Sequence, residues 1–283
     1  MTEALADQAA GLRRLLAPRV VRTLAVTGAA SAAGHSAVAA NLALALTARD
    51  LKVLLVDARG GPYGSARMLD AEPAQDLLEV MLDGSAGGAA CVQRGDTLRV
   101  VRAQRTLAAA ARLSEGQARR LADALADLSA AADAVIVDAA PLAVAPLAVA
   151  DHVVLVTGDD AEAVTATYRF LKRMAAGFGP RRVCVVMNDV RSPARAQKIF
   201  GNLAATAARF LNLPLECMGQ IPDDERQQQA MSQRRPLIEL VPASPAAAAL
   251  RRCAEALLAL PARPGAPAPA FAGRLLEALR AAA

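Results

Sequence analysis

Residues 23 to 47 have the pattern of a phosphate-binding loop set between a strand and a helix. They read TLAVTGAASAAGHSAVAANLALALT: an apolar run, a stretch of small residues and a helical pattern. A helix N-terminus offers backbone N–H groups and the positive end of its dipole to an anion. In a standard P-loop a lysine follows the last glycine and reaches the β and γ phosphates, and a Ser or Thr hydroxyl then binds Mg²⁺. Here Gly34 is followed by His35 and Ser36, so the frame for phosphate is present without its lysine.

Two aspartates end predicted strands and could complete a metal site beside this loop. Asp57 closes the run VLLVD, and Asp138 closes AVIVD. Ligands of parallel sheets bind outside the carboxyl ends of the strands, where a carboxylate supports Mg²⁺ directly or through water. Ser36, Asp57 and Asp138 are therefore the predicted magnesium ligands. The alternative is that each aspartate only caps the turn or helix that follows its strand.

Arg59 stands two residues after Asp57 and brings a cation to the same strand end. Its guanidinium could supply phosphate charge that the loop lacks, through a bidentate contact. The other interpretation, which the sequence favours, is an exposed arginine in a surface loop. His35 is a poor substitute for lysine, because imidazole is mostly neutral near pH 7.

The elements that must position these residues follow an α/β pattern. Short apolar runs alternate with helix-length segments, which predicts one domain with a mostly parallel, twisted sheet and helices on both faces. The predicted strands cover 23–27, 53–57, 98–102, 134–138, 152–157, 183–188 and 216–221. The predicted helices cover 37–49, 115–131, 161–176, 193–212 and 245–259. The stretch PARPGAPAPA at 261–270 predicts a semi-rigid linker that does not extend a helix.

Composition excludes several classes of protein. With 54% hydrophobic and 21% charged residues among 283, the chain can bury a sizeable core, which excludes disorder for most of it. No stretch reaches the roughly 18 apolar residues of a membrane span, and MTEALADQ lacks the features of a signal peptide. The net charge of +5 permits contact with acidic lipid or nucleic acid without requiring either. Four dispersed cysteines predict buried thiols in a reducing cytoplasm.

The order and spacing of several motifs resemble the MinD/ParA family of deviant P-loop proteins. The resemblance covers about residues 22 to 258, and its motifs are the loop followed by VAANLALAL, the VIVD strand and GQIPDDERQQQA. It implies a P-loop NTPase-like fold with ATP and Mg²⁺ as cofactors. Asn188 lies at the position that contacts adenine in the family. The implied nucleotide-binding residues are Gly34, His35, Ser36, Ala37, Asn188 and Pro222.

This sequence departs from the family pattern at the residues that carry the chemistry. The usual run is KGGVGKT, and Ala30 and His35 replace its two lysines. The family also has D-x-D at the second strand, where the later aspartate positions the attacking water, and Arg59 replaces it. The resemblance therefore implies a frame in which ATP binding and hydrolysis are weakened or lost, and it assigns no catalytic residue. A slow MinD-type ATPase that still binds Mg-ATP is the alternative.

Near the N-terminus, DQAAGLRRLL at 7–16 resembles the DQAxxLR segment of the FlhG/FleN branch, whose members regulate flagellar number. In that branch the segment is a short helix that engages the SRP-type GTPase FlhF and stimulates its hydrolysis. The resemblance implies a partner-binding site formed by Asp7, Gln8, Leu12 and Arg13. By amphipathicity alone, the same segment is a helix that packs on the domain.

At the other end, FAGRLLEALRAAA at 271–283 predicts an amphipathic helix. Helical spacing places Phe271, Leu275, Leu276 and Leu279 on one side, which could lie in a membrane interface. Docking of that side onto the protein's own surface is the alternative.

Together these features predict a FlhG/FleN-like regulator of flagellar number or placement that acts through partner binding. An FlhF-type GTPase is the expected partner, followed by a flagellar transcription regulator or switch component. The expected location is the cytoplasm, with peripheral contact to the inner face of the cell membrane and a homodimer both left open. DNA partitioning in the manner of ParA is disfavoured by the DQAAGLRRL segment. The predicted divisions are 1–20 for the partner segment, 21–260 for the domain, 261–270 for the linker and 271–283 for the final helix.

Overall fold

The computed structural model describes residues 21–30, 33–83, 87–109, 112–141, 144–178, 183–261 and 268–281. Within these ranges, eight strands form one sheet. The strands are β1 (Arg22–Gly28), β2 (Val53–Asp57), β3 (Cys91–Arg94), β4 (Leu98–Arg102), β5 (Ala134–Asp138), β6 (His152–Thr157), β7 (Val183–Val190) and β8 (Leu215–Pro222). Their order across the sheet is β3-β4-β2-β5-β1-β6-β7-β8.

Every described strand pair is parallel except β3 with β4. The seven predicted strands are therefore present, and the short antiparallel strand β3 was not predicted. Strands β2, β5 and β6 are buried along their whole length, as their unbroken apolar runs predict. Because β1 lies between β5 and β6, the loop after β1 meets the carboxyl ends of the central strands.

The described helices connect the strands and cover both faces of the sheet. They are α1 (His35–Thr47), α2 (Ser65–Met68), α3 (Leu77–Leu82), α4 (Gln104–Ala109), α5 (Glu115–Ala130), α6 (Val144–Val149), α7 (Ala161–Phe178), α8 (Pro193–Leu211), α9 (Glu225–Ser232), α10 (Leu237–Leu240), α11 (Pro245–Ala259) and α12 (Ala268–Ala281). One face of the sheet packs on α1 and α11. The other face packs on α5 and α12 and, further along the sheet, on α7 and α8. The predicted single α/β domain is confirmed.

Serine N-caps start three of the long helices. Ser114, Ser192 and Ser244 precede α5, α8 and α11, and each hydroxyl accepts a hydrogen bond from the backbone N–H three residues on. At α5 the side chain of Gln117 completes a capping box. Helix α1 lacks such a side-chain cap and begins at His35, two residues before its predicted start.

The C-terminal helix α12 packs on the domain. It begins at Ala268, inside the predicted linker, because Pro269 is tolerated in the first turn of a helix. Phe271, Leu275 and Leu276, which were predicted to contact a membrane, are buried against α5 and α6. In this conformation the apolar side of α12 therefore docks onto the protein's own surface, which was the alternative to membrane contact. The structure does not describe the side chain of Leu279, the fourth residue of that prediction.

The burial of the cysteines and the hydropathy of the helices test two further predictions. Cys184 and Cys253 are buried thiols, but Cys91 is half-buried and Cys217 is exposed on β8, so the prediction of four buried thiols was wrong. Among the described helices, none is both long and apolar enough to span a membrane.

Candidate nucleotide site

Gly34 sets the backbone turn that leads from the loop into α1. Its φ of 77° is in the left-handed region, which glycine adopts without strain. A Cβ at this position would lie 2.7 Å from Nδ2 of Asn188, so a side chain would also collide with β7. Asn188 in turn donates to the carbonyl of Ala33 at 3.3 Å. The predicted residues Gly34 and Asn188 therefore meet, and the asparagine holds the loop.

His35 lies beneath the loop and is fully buried. A Cβ built on Gly28, the last residue of β1, would lie 2.8 Å from Nδ1 of the imidazole. Nε2 lies 4.0 Å from Oδ1 of Asp138. Neither ring nitrogen has a hydrogen-bond partner among the described residues. Burial, together with the nearby charge of Arg59, lowers the pKa of His35 to about 4, so the ring is neutral at pH 7.

Ser36, Asp57 and Asp138, the predicted magnesium ligands, lie close together, and their role as ligands stays a prediction. Ser36 Oγ donates to Asp138 Oδ1 at 3.0 Å, and Asp57 and Asp138 are register partners at the ends of β2 and β5. Burial, together with the nearby carboxylate of Asp57, raises the pKa of Asp138 to about 7, against the lowering effect of its hydrogen bonds from Ser36 and Ser65. Burial also raises the pKa of Asp57, against the lowering effect of its backbone hydrogen bonds. The strand ends thus bring two carboxylates into a buried site.

Both carboxylates already accept hydrogen bonds from the segment after β2. Asp57 accepts from the N–H groups of Gly60 at 2.7 Å, Ala66 at 3.0 Å and Arg59 at 3.2 Å. Asp138 accepts from the N–H of Ser65 at 3.1 Å. The capping alternative thus describes Asp57 well. Ser65 and Ala66 were not predicted at this site, because they contribute backbone N–H groups, which residue type does not indicate.

Arg59 reaches into the site, which corrects the favoured prediction of an exposed arginine. It is half-buried, and its Nη1 donates to Ser36 Oγ at 3.2 Å and to the carbonyl of Tyr63 at 3.0 Å. The guanidinium is therefore hydrogen-bonded to the hydroxyl at the position that, in a P-loop, binds the metal ion. Its closeness also contributes to the lowered pKa of His35.

These residues do not offer the donor set that a P-loop presents to magnesium and a triphosphate. His35 brings no charge at neutral pH to the position of the phosphate lysine. The Ser36 hydroxyl is held between Asp138 and Arg59, and Asp57 is held by three N–H groups. No cluster of three His, Cys, Asp or Glu side chains in the described part of the chain has metal-binding geometry.

A cleft of about 540 Å³ adjoins the other side of the loop. It is lined by Ala30, Ala33 and Asn188, and by the ends of β6 and β7. Four carboxylates and two arginines also line it: Asp159, Asp160, Glu162 and Asp189, with Arg191 and Arg195. Burial, Asp223 and Asp159 raise the pKa of Asp189. The excess of acid makes this cleft unfavourable for a polyphosphate.

The remaining predicted site residues are more dispersed. Ala37 and Asn188 line a pocket of about 20 Å³ between α1 and α10, which has room for about one water molecule. Pro222 ends β8 and does not line either pocket, although its neighbour Ile221 does. Asp7, Gln8, Leu12 and Arg13 lie outside the described residues, so the predicted partner-binding segment stays a prediction.

The fold and the loop after β1 define a P-loop-type nucleotide-binding domain by architecture. The family described as the CobQ/CobB/MinD/ParA nucleotide binding domain matches residues 24–237, and the chain belongs to this family. The resemblance drawn from the motifs is thus confirmed.

Individual relatives agree with this assignment. The antiactivator FleN of Pseudomonas aeruginosa is 29% identical over 263 residues, which cover 91% of this chain and 94% of FleN. The MinC:MinD cell division protein complex of Aquifex aeolicus superposes with a TM-score of 0.66 at 20% identity, covering 86% of this chain and 98% of that one. MinD of Pyrococcus horikoshii complexed with Mg-ADP gives a TM-score of 0.60 at 18% identity, covering 84% and 96%. At these identities the two structures support the fold alone.

Proposed function

We propose that this chain is a FleN-like regulator of flagellar number or placement that acts by binding protein partners. The similarity to the antiactivator FleN over nearly the whole length of both chains supports this role. The DQAAGLRRLL segment, which resembles the partner helix of the FlhG/FleN branch, supports it independently. The MinC:MinD complex gives a precedent for partner binding on this fold.

We infer further that ATP does not switch this protein as it switches MinD-type ATPases. The observation that carries this inference is the contact between the Arg59 guanidinium and the Ser36 hydroxyl. The neutral, buried His35 supports the same inference, because it supplies no ammonium group to the phosphates. The alternative is a slow ATPase, for which the meeting of Ser36, Asp57 and Asp138 is the supporting observation.

Calorimetry with nucleotide separates these two functions. With millimolar ATP and Mg²⁺ we expect no heat of binding and no shift in melting temperature. A ligand that bound the folded state would raise the melting temperature by mass action, so the measurement reports binding directly. A MinD-type protein that binds Mg-ATP serves as the positive control. Saturable binding would favour the slow ATPase, and magnesium-dependent turnover at the rate of the control would refute the proposal.

The partner segment has its own test with a purified FlhF-type GTPase. We expect the full chain to stimulate GTP hydrolysis, and a chain lacking residues 1–16 to give no stimulation while it keeps the same cooperative thermal unfolding. Substitution of Gln8 and Arg13 by alanine in the full chain is the matched milder change, and it should weaken stimulation. Unchanged stimulation by the shortened chain would contradict a role for this segment.

Other partners and locations follow from the same proposal. A flagellar transcription regulator or switch component is the further partner class that a FleN-like role suggests. Membrane contact through α12 would require this helix to leave α5 and α6, because Phe271, Leu275 and Leu276 are buried there. A homodimer would have to form without the family's signature lysine, whose position Ala30 holds. Binding to duplex DNA is not part of the proposal.

A further inference from the structure

The segment after β2 carries a cation, Arg59, that contacts the Ser36 hydroxyl at the start of α1. Arg59 Nη1 lies 3.2 Å from Ser36 Oγ, and the same nitrogen lies 3.0 Å from the carbonyl oxygen of Tyr63. The backbone N–H of Arg59 also bonds Asp57 Oδ1 at 3.2 Å. The arginine therefore joins the start of α1 to the segment after β2 through both its main chain and its side chain.

The contact between Arg59 and Ser36 leads to a pair of buried carboxylates. Asp57 and Asp138 are 2% and 0% exposed, and they lie side by side in register at the ends of neighbouring strands. Ser36 links the guanidinium to this pair, because its hydroxyl accepts from Arg59 Nη1 at 3.2 Å and donates to Asp138 Oδ1 at 3.0 Å. The neighbouring His35 makes no such link, because its Nε2 lies 4.0 Å from Asp138 Oδ1 and has no hydrogen-bond partner among the described residues.

We propose that Arg59 is the resident cation of this site and takes the place of Mg²⁺ at the Ser36 hydroxyl, next to the two buried carboxylates. This inference deepens the proposed function, since it says how a MinD-type site is held together without a bound metal nucleotide. A guanidinium carries a permanent charge and forms directed hydrogen bonds, so it can replace the charge and some of the contacts of a metal ion.

The consequence is a nucleotide site fixed in one arrangement. Asp57 accepts hydrogen bonds from the N–H groups of Gly60 and Ala66, and Asp138 accepts one from the N–H of Ser65. Arg59 adds the contact from Tyr63 to Ser36. The segment from 59 to 66 is thus tied to α1 and β5 by protein groups alone. Tyr63, whose carbonyl accepts from Arg59, is itself 57% exposed in this segment.

Magnesium alone, without nucleotide, tests the proposal through thermal unfolding. We expect the melting temperature of the natural chain to be unchanged by millimolar MgCl₂ at constant ionic strength. Arg59→Gln removes the charge and opens the position, so the variant should melt lower and should regain about 2–4 °C with MgCl₂ through binding to the folded state. Arg67→Gln is the matched control, because it removes a cation from the adjacent helix α2 and leaves Ser36 untouched.

The effects of magnesium on the melting temperatures either support or overturn the proposed role of Arg59. An equal magnesium effect on the natural chain, or on Arg67→Gln, would overturn the proposal, as would an Arg59→Gln variant that ignores magnesium. Adding Ser36→Ala to Arg59→Gln should abolish the gain, because the metal loses its hydroxyl ligand. If Arg59→Gln does not fold in the absence of metal, folding that MgCl₂ restores supports the proposal, and folding that it does not restore overturns it. Because no nucleotide is present, this test fails or succeeds independently of ATP calorimetry.

Discussion

Phe271→Ala should destabilise the protein by about 3–5 kcal/mol, the range for removing a buried aromatic side chain. Phe271 is 3% exposed and packs on the face of the sheet that also contacts α5. Leu275 and Leu276 are buried on the same face of α12, so the loss of Phe271 weakens the contact that orders the whole helix. Urea unfolding measures the change, and hydrogen exchange of the α12 amides shows whether the helix has left the domain.

Glu277→Ala is the matched control for this prediction. Glu277 is exposed on the same helix, and a surface substitution of this kind changes stability by about 0.5 kcal/mol or less. Liposome flotation of the full chain and of a chain ending at Pro269 distinguishes docking from membrane contact. Two results together would show that α12 binds membrane and does not dock on the domain. These are unchanged stability of Phe271→Ala, and flotation of the full chain but not of the chain ending at Pro269.

The central sheet could be predicted from the sequence because its signals are local. VLLVD and AVIVD are unbroken apolar runs closed by an aspartate, and both strands end at the predicted residue. The start of α5 was predictable for a similar reason, since Ser114 and Gln117 form a capping box. In contrast, CVQR at β3 mixes apolar and polar residues and is half-exposed at the edge of the sheet, so its pattern resembles that of a loop.

The proximity of the candidate site residues could be predicted from the sequence, but their contacts could not. Ser36, Asp57 and Asp138 could be grouped because parallel strands end at one edge of a sheet, and the structure brings them together. The destination of the Arg59 side chain depends on the path of the segment after β2, which turns back so that Ser65 and Ala66 bond the two aspartates. That path is set by tertiary packing, which cannot be predicted from the spacing of residues in the sequence.

The docking of α12 illustrates the same limit. Amphipathic spacing predicts that one side of the helix is buried, and it leaves open whether lipid or protein covers it. The deciding feature is the apolar surface on α5 and α6, which includes Leu121, Leu125 and Val149. These residues are far from α12 in sequence, and their common surface exists only in the folded domain.

The double substitution His35→Lys with Arg59→Asp should create measurable Mg-ATP binding. Lysine restores the ammonium group that reaches the β and γ phosphates, and aspartate restores the D-x-D pattern of the family. Removing the guanidinium also frees the Ser36 hydroxyl for magnesium. One charge-assisted contact contributes about 1.5–3 kcal/mol, so affinity should rise roughly tenfold to a hundredfold above the natural chain. Calorimetry and the melting temperature with Mg-ATP measure the gain.

His35→Met with Arg59→Asp is the matched control, because methionine has a similar length to lysine and no charge. It should bind no Mg-ATP, whereas the lysine variant should be less stable than the natural chain until nucleotide is added. That loss is expected because His35 is fully buried, and an ammonium group buried without a phosphate is costly. Equal binding by both double variants would show that Arg59 alone closes the site. No gain in either would mean that the small residues replacing the family's glycines and signature lysine already prevent the loop from holding a triphosphate.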